Sequence, residues 1–305
     1  MQDLGYQQLE KSNLGGGKIK LPISAIILTH NEEKNIEDCL KSLFGWIGEI
    51  FVVDSYSNDG TLDIAKRYTN KICQHPFEDY AKQRNWAQDN LPITNEWVFH
   101  LDADERTTPE LSEELRAFFS KPIDGVDGFF VSRRTVFMGR WIKHGGHYPA
   151  YHLRIFRKNL GRCEDRLYDQ HFYVRGSTRR LEGDIIDTIT SDLDNWIFRH
   201  TKWASLEAME RIDKRGGKYY PATGKRTSIK GDRRGNPVEQ KKWLREKYYQ
   251  LPMFIRAFLY FLYRYFFRLG FLDGKEGLIF HFLQGFWYRF LVDTKIFELR
   301  KYHES

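Results

Sequence analysis

Three apolar runs, each ending on polar residues, constrain this chain more than any other feature. They are residues 21–29 (LPISAIILT), 49–54 (EIFVVD) and 97–102 (WVFHLD). Apolar nearly throughout, they read as strands covered on both faces. Between them lie helical stretches. Residues 35–44 carry Ile36, Leu40, Leu43 and Phe44 at helical spacing, and 61–67 and 80–88 follow. Residues 71–74 add a short strand. Strand–helix alternation specifies a parallel sheet with helices on its faces. Ligands of such sheets sit beyond the carboxyl ends of the strands, near a switch in strand order. Residues 29–32, 54–59 and 102–104 all fall at such ends, so polar clusters far apart in sequence are expected to share one crevice.

The last of these clusters is the most telling. Asp102 and Asp104 stand one residue apart at the end of a buried strand, and residues i and i+2 of an extended chain point to one side. Two converging carboxylates suit a hard divalent cation, Mg²⁺ or Mn²⁺, shared with substrate phosphates. The plainer alternative is a solvated strand end before a helix that Thr108 caps and Pro109 opens. Neither GxGxxG nor GxxxxGK[ST] occurs, so phosphate binding has to use the cation and a basic side chain, with Lys82 and Arg84 available.

The chain of 305 residues carries only Cys39, Cys73 and Cys163, without CxxC spacing, which fits a reducing compartment and argues against structural zinc. Residues 1–20, polar and Gly-rich, read as a loose tail without a secretory signal. The net charge of +7 is uneven: residues 201–305 hold 22 Lys and Arg against 11 Asp and Glu, residues 1–200 hold 26 against 30. That basic last third is also aromatic, which points to nucleic acid or to a membrane surface.

The stretches ISAIILTHNEEKNIEDCLKSL, EIFVVDSYSNDGTLDIAK, AKQRNWA and WVFHLDADERTTPEL resemble, in order and spacing, the motifs of family 2 inverting glycosyltransferases. The branch most similar to this chain makes lipopolysaccharide core and other cell-surface polysaccharides, and the resemblance covers roughly residues 21–200. It implies a GT-A fold, a Rossmann-like and mostly parallel sheet flanked by helices. It also implies roles. Thr29, Asn31 and Glu32 would line the nucleotide pocket, and Asp54 would meet base or ribose with Ser57 and Asp59 nearby. Arg84 with Gln83 would face the diphosphate, and Ala103 would lie in the donor site between Asp102 and Asp104, the metal-binding DxD. The donor would be a nucleotide sugar, by family a UDP-sugar.

Further along, residues 128–132 and 151–157 read as strands flanking the aromatic, basic, Gly-rich run 137–149. That run suits a sugar or phosphate-bearing acceptor, with Trp141 as a stacking platform and His144 beside it. An inverting transfer needs a carboxylate to take the proton of the acceptor hydroxyl. Relatives in this branch show a His-Glu pair where this chain has Asp169-Gln170, a departure that leaves Asp169, slightly favoured, and Asp165 as candidate bases. His171 and His200 read as structural.

Residues 201–250 form a basic region with helical stretches 205–215 and 239–248 around a loop, 216–237. In residues 251–305 the apolar pieces 253–272 and 278–297 meet at a turn, 273–275. Arg256, Arg264 and Arg268 interrupt the first piece within about a 120° arc of a helix. Charges near a helix centre disfavour spanning, so these helices are expected to lie in the membrane interface, arginines at the headgroups and Phe, Leu and Tyr in lipid, with a soluble helical oligomerisation interface as the alternative. Continuous apolar faces rather than isolated platforms argue against nucleic acid. The expectation is therefore a monotopic or peripheral enzyme at the cytoplasmic face of the inner membrane, acting on a lipid-linked or polysaccharide acceptor. The competing readings are a non-catalytic nucleotide-sugar-binding scaffold and a sugar nucleotidyltransferase. The second is disfavoured because the first strand lacks a Gly-rich basic loop.

Overall fold

A computed structural model describes residues 20–213 and 229–303. Nearly all of the expected N-terminal tail, the end of the helical stretch 205–215 and most of the loop 216–237 lie outside the described residues.

The first half alternates as its apolar periodicity demands: β1 (Leu21–Thr29), α1 (Ile36–Leu43), β2 (Ile47–Asp54), α2 (Thr61–Ala65), β3 (Ile72–Gln74), α3 (Tyr80–Asn90) and β4 (Trp97–Asp102). Then follow β5 (Glu105–Thr107), α4 (Pro109–Phe119), β6 (Gly128–Phe137), β7 (Arg140–Trp141), β8 (Tyr151–Arg157), β9 (Gly161–Cys163), β10 (Phe172–Val174) and β11 (Thr178–Ile189). Helix starts follow local chemistry. Thr108 accepts from Leu111 N at 3.3 Å at the start of α4, where Pro109 is the first helical residue. Asp79 accepts from Lys82 N at 2.8 Å at the start of α3.

The strands of the main sheet run in the order β3-β2-β1-β4-β8-β6-β11-β5, with β7 paired to β6, while β9 and β10 form a separate pair. From β3 to β4 every pairing is parallel. The chain moves outward from β1 to β3 and returns to lay β4 on the other side of β1, so the switch in strand order falls between β1 and β4. Register brings the strand ends level, with Thr29 opposite Asp54 and Leu28 opposite Asp102. Beyond β4 the sheet is mixed: β8 is antiparallel to β4 and β6, β11 is parallel to β6, and β5 is antiparallel to β11.

Alternation along the strands divides the core between two faces. Ile23, Ala25 and Ile27 of β1 and Phe99 and Leu101 of β4 pack against Leu40 of α1 and Leu111 of α4. On the other face Ile26 and Val98 meet Ala87 of α3, Phe156 and Phe172. Each such large side chain contributes roughly 1.5–3 kcal/mol by leaving water.

The C-terminal helices are α5 (Leu193–Asp213), α6 (Pro237–Gln250), α7 (Ile255–Leu262), α8 (Gly274–His281) and α9 (Tyr288–His303). A π-helical turn, Tyr263–Phe267, extends α7, and another, Phe282–Trp287, joins α8 to α9. Helices α5, α6 and α9 share a core of Ala204, Ala208, Tyr249, Tyr288, Val292 and Ile296. Among the described residues no helix is long and apolar enough to cross a membrane. One expectation is corrected here. Arg256 and Arg264 do not face outward but are buried: Arg256 donates from Nε to Asp293 Oδ1 at 3.0 Å, and Arg264 donates from Nε to Gly145 O at 2.9 Å. Only Arg268 of the three is exposed. A guanidinium inside a helical unit satisfies orphan carbonyls and carboxylates there, so the apolar side chains turn out instead. Ile255, Phe258, Leu259, Phe266, Phe267 and Leu272 are all exposed, Phe267 to 80%.

Candidate active site

The ends of β1, β2 and β4 form the floor of the crevice. After β1 the chain turns at Asn31, whose φ of 55° is left-handed, a conformation Asn tolerates. The Asn31 N–H donates to Ser57 Oγ at 2.8 Å, and its Oδ1 accepts from Asn58 N at 2.9 Å. Glu32 N donates to Thr61 Oγ1 at 2.8 Å, and Asp59 Oδ1 accepts from Thr61 N at 3.0 Å. Thr29 is buried at the end of β1, its hydroxyl without a hydrogen-bond partner. These bonds lace the β1 turn to the β2 turn.

Asp54, expected to meet base or ribose, stands at the end of β2. It is fully buried, and its carboxylate accepts from Ser57 N at 2.9 Å, Ser57 Oγ at 2.5 Å and Gln74 Nε2 at 3.0 Å. It shapes the wall by holding the Ser57 turn. Gln83, expected beside the diphosphate with Arg84, is likewise buried, its amide spanning Ser55 Oγ at 3.2 Å and His75 Nδ1 at 2.7 Å.

The acidic residues behave differently from one another. Asp102 accepts from Arg84 Nη2 at 2.8 Å and from Arg154 Nη2 at 3.3 Å. Burial opposes its charge, but Arg84 and Arg154 outweigh it and hold the carboxyl well below the usual range. Arg154 also pairs with buried Glu105, which in turn accepts from Asp102 N at 3.1 Å. Burial pushes Glu105 up to about 7, against the pull of Arg154. Ala103 packs into the core, and half-buried Asp104, whose backbone carbonyl accepts from Thr188 N at 3.4 Å, makes no hydrogen bond or ion pair through its carboxylate to the described residues. Burial and the charges of Asp187, Asp102, Glu105 and Glu32 raise its pKa well above the ordinary value.

Among the described residues no three His, Cys, Asp or Glu side chains form a closed cation site. Mg²⁺ or Mn²⁺ fits the residues present nonetheless. Such ions use one or two carboxylates, with phosphate and water completing the shell. Asp104 supplies a carboxylate without a hydrogen bond or ion pair to the described residues, whereas the oxygens of Asp102 already serve arginines.

Of the two candidate bases, Asp169 lies in the left-handed region with φ 52° and is engaged by Arg245 at 2.7 Å and Lys241 at 3.6 Å. Burial opposes its charge, but Lys241, His171 and Arg245 hold the carboxyl well below its usual range, a poor condition for taking a proton. Asp165 is exposed. Its neighbour Glu164 is buried, accepting from His171 N at 3.0 Å and from Ile229 N at 3.0 Å and pairing with Lys242 Nζ at 2.5 Å.

In the acceptor run, Trp141 is half-buried, with the Arg134 guanidinium 5.0 Å and the Lys143 ammonium 5.3 Å from its ring centroid. His144, expected beside the acceptor, is half-buried. Its N–H donates to Asp273 Oδ2 at 2.8 Å and its Nδ1 lies 2.6 Å from Asp273 Oδ1, anchoring the run to the C-terminal helices. Arg154, Glu105, Arg133 and Asp187 were missed from sequence. A signal existed for Arg154: in YHLRIFR it occupies a buried position of an alternating strand.

The crevice lies at the sheet's switch point with the Asp104 carboxylate at its rim, and the fold is that of a nucleotide-sugar-using GT-A glycosyltransferase. Residues 24–180 match the family model described as Glycosyl transferase family 2, and the chain belongs to that family. It is 27% identical over 201 residues to the lipopolysaccharide core biosynthesis glycosyltransferase LpsC of Rhizobium meliloti, covering 64% of this chain and 73% of that one. It is 36% identical over 98 residues to an uncharacterized glycosyltransferase of Rickettsia felis, covering 32% of this chain and 34% of that one, about a third of the relative's length. The structure of S. aureus TarS 1-349 in complex with UDP-GlcNAc aligns over 93% of this chain and 92% of that one, at 16% identity and a TM-score of 0.42, a likeness too loose for residue correspondences.

Proposed function

We propose that this glycosyltransferase moves a sugar from a UDP-sugar to a lipid-linked or cell-surface polysaccharide acceptor, with inversion, at the cytoplasmic face of the inner membrane. The observation that carries the reading is the division of labour at the end of β4, where Asp102 is clamped by Arg84 and Arg154 while Asp104 is left open.

Asp104 would hold Mg²⁺ or Mn²⁺ together with the donor diphosphate. When bound, the ion supplies positive charge against the leaving diphosphate. Asp102 keeps Arg84 aimed along the crevice, and the laced turns at Asn31 and Ser57 shape the nucleoside end. Asp165, exposed to solvent, takes the proton from the acceptor hydroxyl as that oxygen attacks the anomeric carbon, while Asp169 is held charged by its basic neighbours. The similarity to a lipopolysaccharide core enzyme supports the acceptor class. The outward apolar face of α7 and its π-helical turn supports contact with a bilayer surface.

Calorimetric titration of UDP-sugars and GDP-sugars with Mn²⁺, and again with EDTA, tests the donor reading. Binding of a UDP-sugar that requires the ion and is lost in Asp104→Ala is expected. Equal binding with and without the ion, unchanged in the variant, would remove the metal role of Asp104.

A further inference from the structure

The junction between the acceptor run and the C-terminal helices holds positive charge that its own carboxylates do not neutralise. Arg264 is only 6% exposed, and among the described residues it has no acidic partner. Its Nε serves the Gly145 carbonyl, while Nη2 is buried without a hydrogen-bond partner. A structural role accounts for Nε, and the Tyr260 side chain also hydrogen-bonds the guanidinium, but among the described residues no acid neutralises it and Nη2 stays unsatisfied, which a folded chain tolerates poorly. Lys241 on α6 is exposed over 55% of its side chain, and its nearest acid, Asp169 at 3.6 Å, already takes Arg245 at 2.7 Å. Arg133 on β6 stands 3.5 Å from Asp187, and its Nε is buried without a partner.

Two histidines tie these cations to one region. His147 stands two residues from the Gly145 that Arg264 binds and meets Thr135, two residues from Arg133. His152 stacks on His171, ring centroids 6.1 Å apart, and His171 Nε2 is 3.6 Å from the Asp169 that Lys241 meets. His147, in the acceptor run, lies 2.9 Å from Thr135 Oγ1 and packs edge-on against Phe280, ring centroids 4.9 Å apart. Burial and then Arg264, Arg133, His281 and Lys241 keep it neutral, and every charge prominent in its surroundings is basic. His152 on β8 is kept neutral by burial and then by Arg133, Lys241, Arg154 and His171, again all basic.

We propose that this junction is the subsite for a phosphate ester on the acceptor, held by Arg264, Lys241 and Arg133 beside the hydroxyl that receives the sugar. Three donors arriving from a helical turn, a helix and a strand suit an anion with three charged oxygens. A carboxylate would be satisfied by a single guanidinium fork. The inference rests on the glycosyltransferase reading of the crevice and names the chemical class of its second substrate. The phosphate belongs either to a lipid or to a phosphorylated saccharide.

The test is calorimetry on the full chain saturated with UDP and Mg²⁺, titrated with decyl phosphate below its micelle concentration and separately with glucose 6-phosphate. Binding of either is expected, weakened at least tenfold by Lys241→Gln, restored by Lys241→Arg and absent for decyl maltoside, with the UDP affinity unchanged. Arg264→Gln should act the same way, but Lys241, exposed, is the variant that cannot be dismissed as misfolded. Tighter decyl phosphate puts the charge on a lipid, and tighter glucose 6-phosphate puts it on a saccharide. The proposal is overturned if neither phosphate binds, if Lys241→Gln binds as well as the parent, or if UDP binding falls in parallel, since the cations would then serve the donor. Failure of UDP itself to bind the parent would count against the donor reading, a separate result.

Discussion

The donor crevice and the C-terminal helical unit both bury charge, and they settle it in opposite ways. In the helices nearly every buried ion is closed off: Arg256 pairs with Asp293, and Glu207 accepts from Tyr249 at 2.7 Å, Tyr288 at 2.9 Å and Arg289 at 3.2 Å. In the crevice Asp104 is left surrounded by other carboxylates. Closed charge holds elements in register. Open charge marks where a ligand supplies the missing partner. Arg264 is the exception in the helical unit, and it lies where that unit meets the acceptor run.

The contrast can be broken most forcefully at Asp293. Asp293→Ala leaves Arg256 buried alone and is expected to cost about 3–5 kcal/mol in urea unfolding, whereas Arg256→Met with Asp293→Leu should recover most of it. A small loss in the single variant would mean that this pair is not structural. Asp104→Asn should do the reverse, slowing sugar transfer about 100–1,000-fold while leaving the melting temperature unchanged or higher, because repulsion from Asp187 and Asp102 is relieved. A lower melting temperature would make Asp104 part of the scaffold.

The outward face comes next in size. Phe267→Ser should weaken binding to phospholipid vesicles about tenfold without changing thermal stability, as expected for a side chain that leaves water only in lipid. Equal sedimentation of both proteins with vesicles would remove the bilayer from the account.

The smallest effect is acid sensitivity at Glu164. Burial alone would raise its pKa, but His171 and Lys242 outweigh burial and hold it at about 2. A depressed carboxylate stabilises the fold above its unfolded value of 4.5, and that stability is lost as pH falls from there toward 2. Lys242 shows the opposing cost, since burial lowers it to about 8, so the pair yields less than Glu164 alone implies. A loss of about 1 kcal/mol between pH 5 and 3, absent in Glu164→Gln, is the expected outcome.

Much of the first half was legible because its signals are local. The apolar runs of β1, β2 and β4 are long enough to demand burial on both faces, and Thr108-Pro109 announces a helix start. The strand β11 was not legible, since its first three residues are exposed and it turns apolar only midway. The internal bonds of Asp54 and Gln83 were not legible, because Asp54 holds the Ser57 turn while Gln83 of α3 reaches across to Ser55 and His75. Nor was the pairing of His144 with Asp273, 129 residues distant, which has no local signature.

By itself the sequence determined the alternation of strands and helices, the family, and the convergence of polar strand ends, since period, strand length and motif order are properties of neighbouring residues. Only the tertiary structure decided which aspartate stays open and which way the arginines of α7 point. Both depend on partners brought from distant parts of the chain, Arg154 of β8 to Asp102 and Asp293 of α9 to Arg256. A buried charge takes its meaning from what stands beside it, and proximity across such distances exists only once the chain has folded.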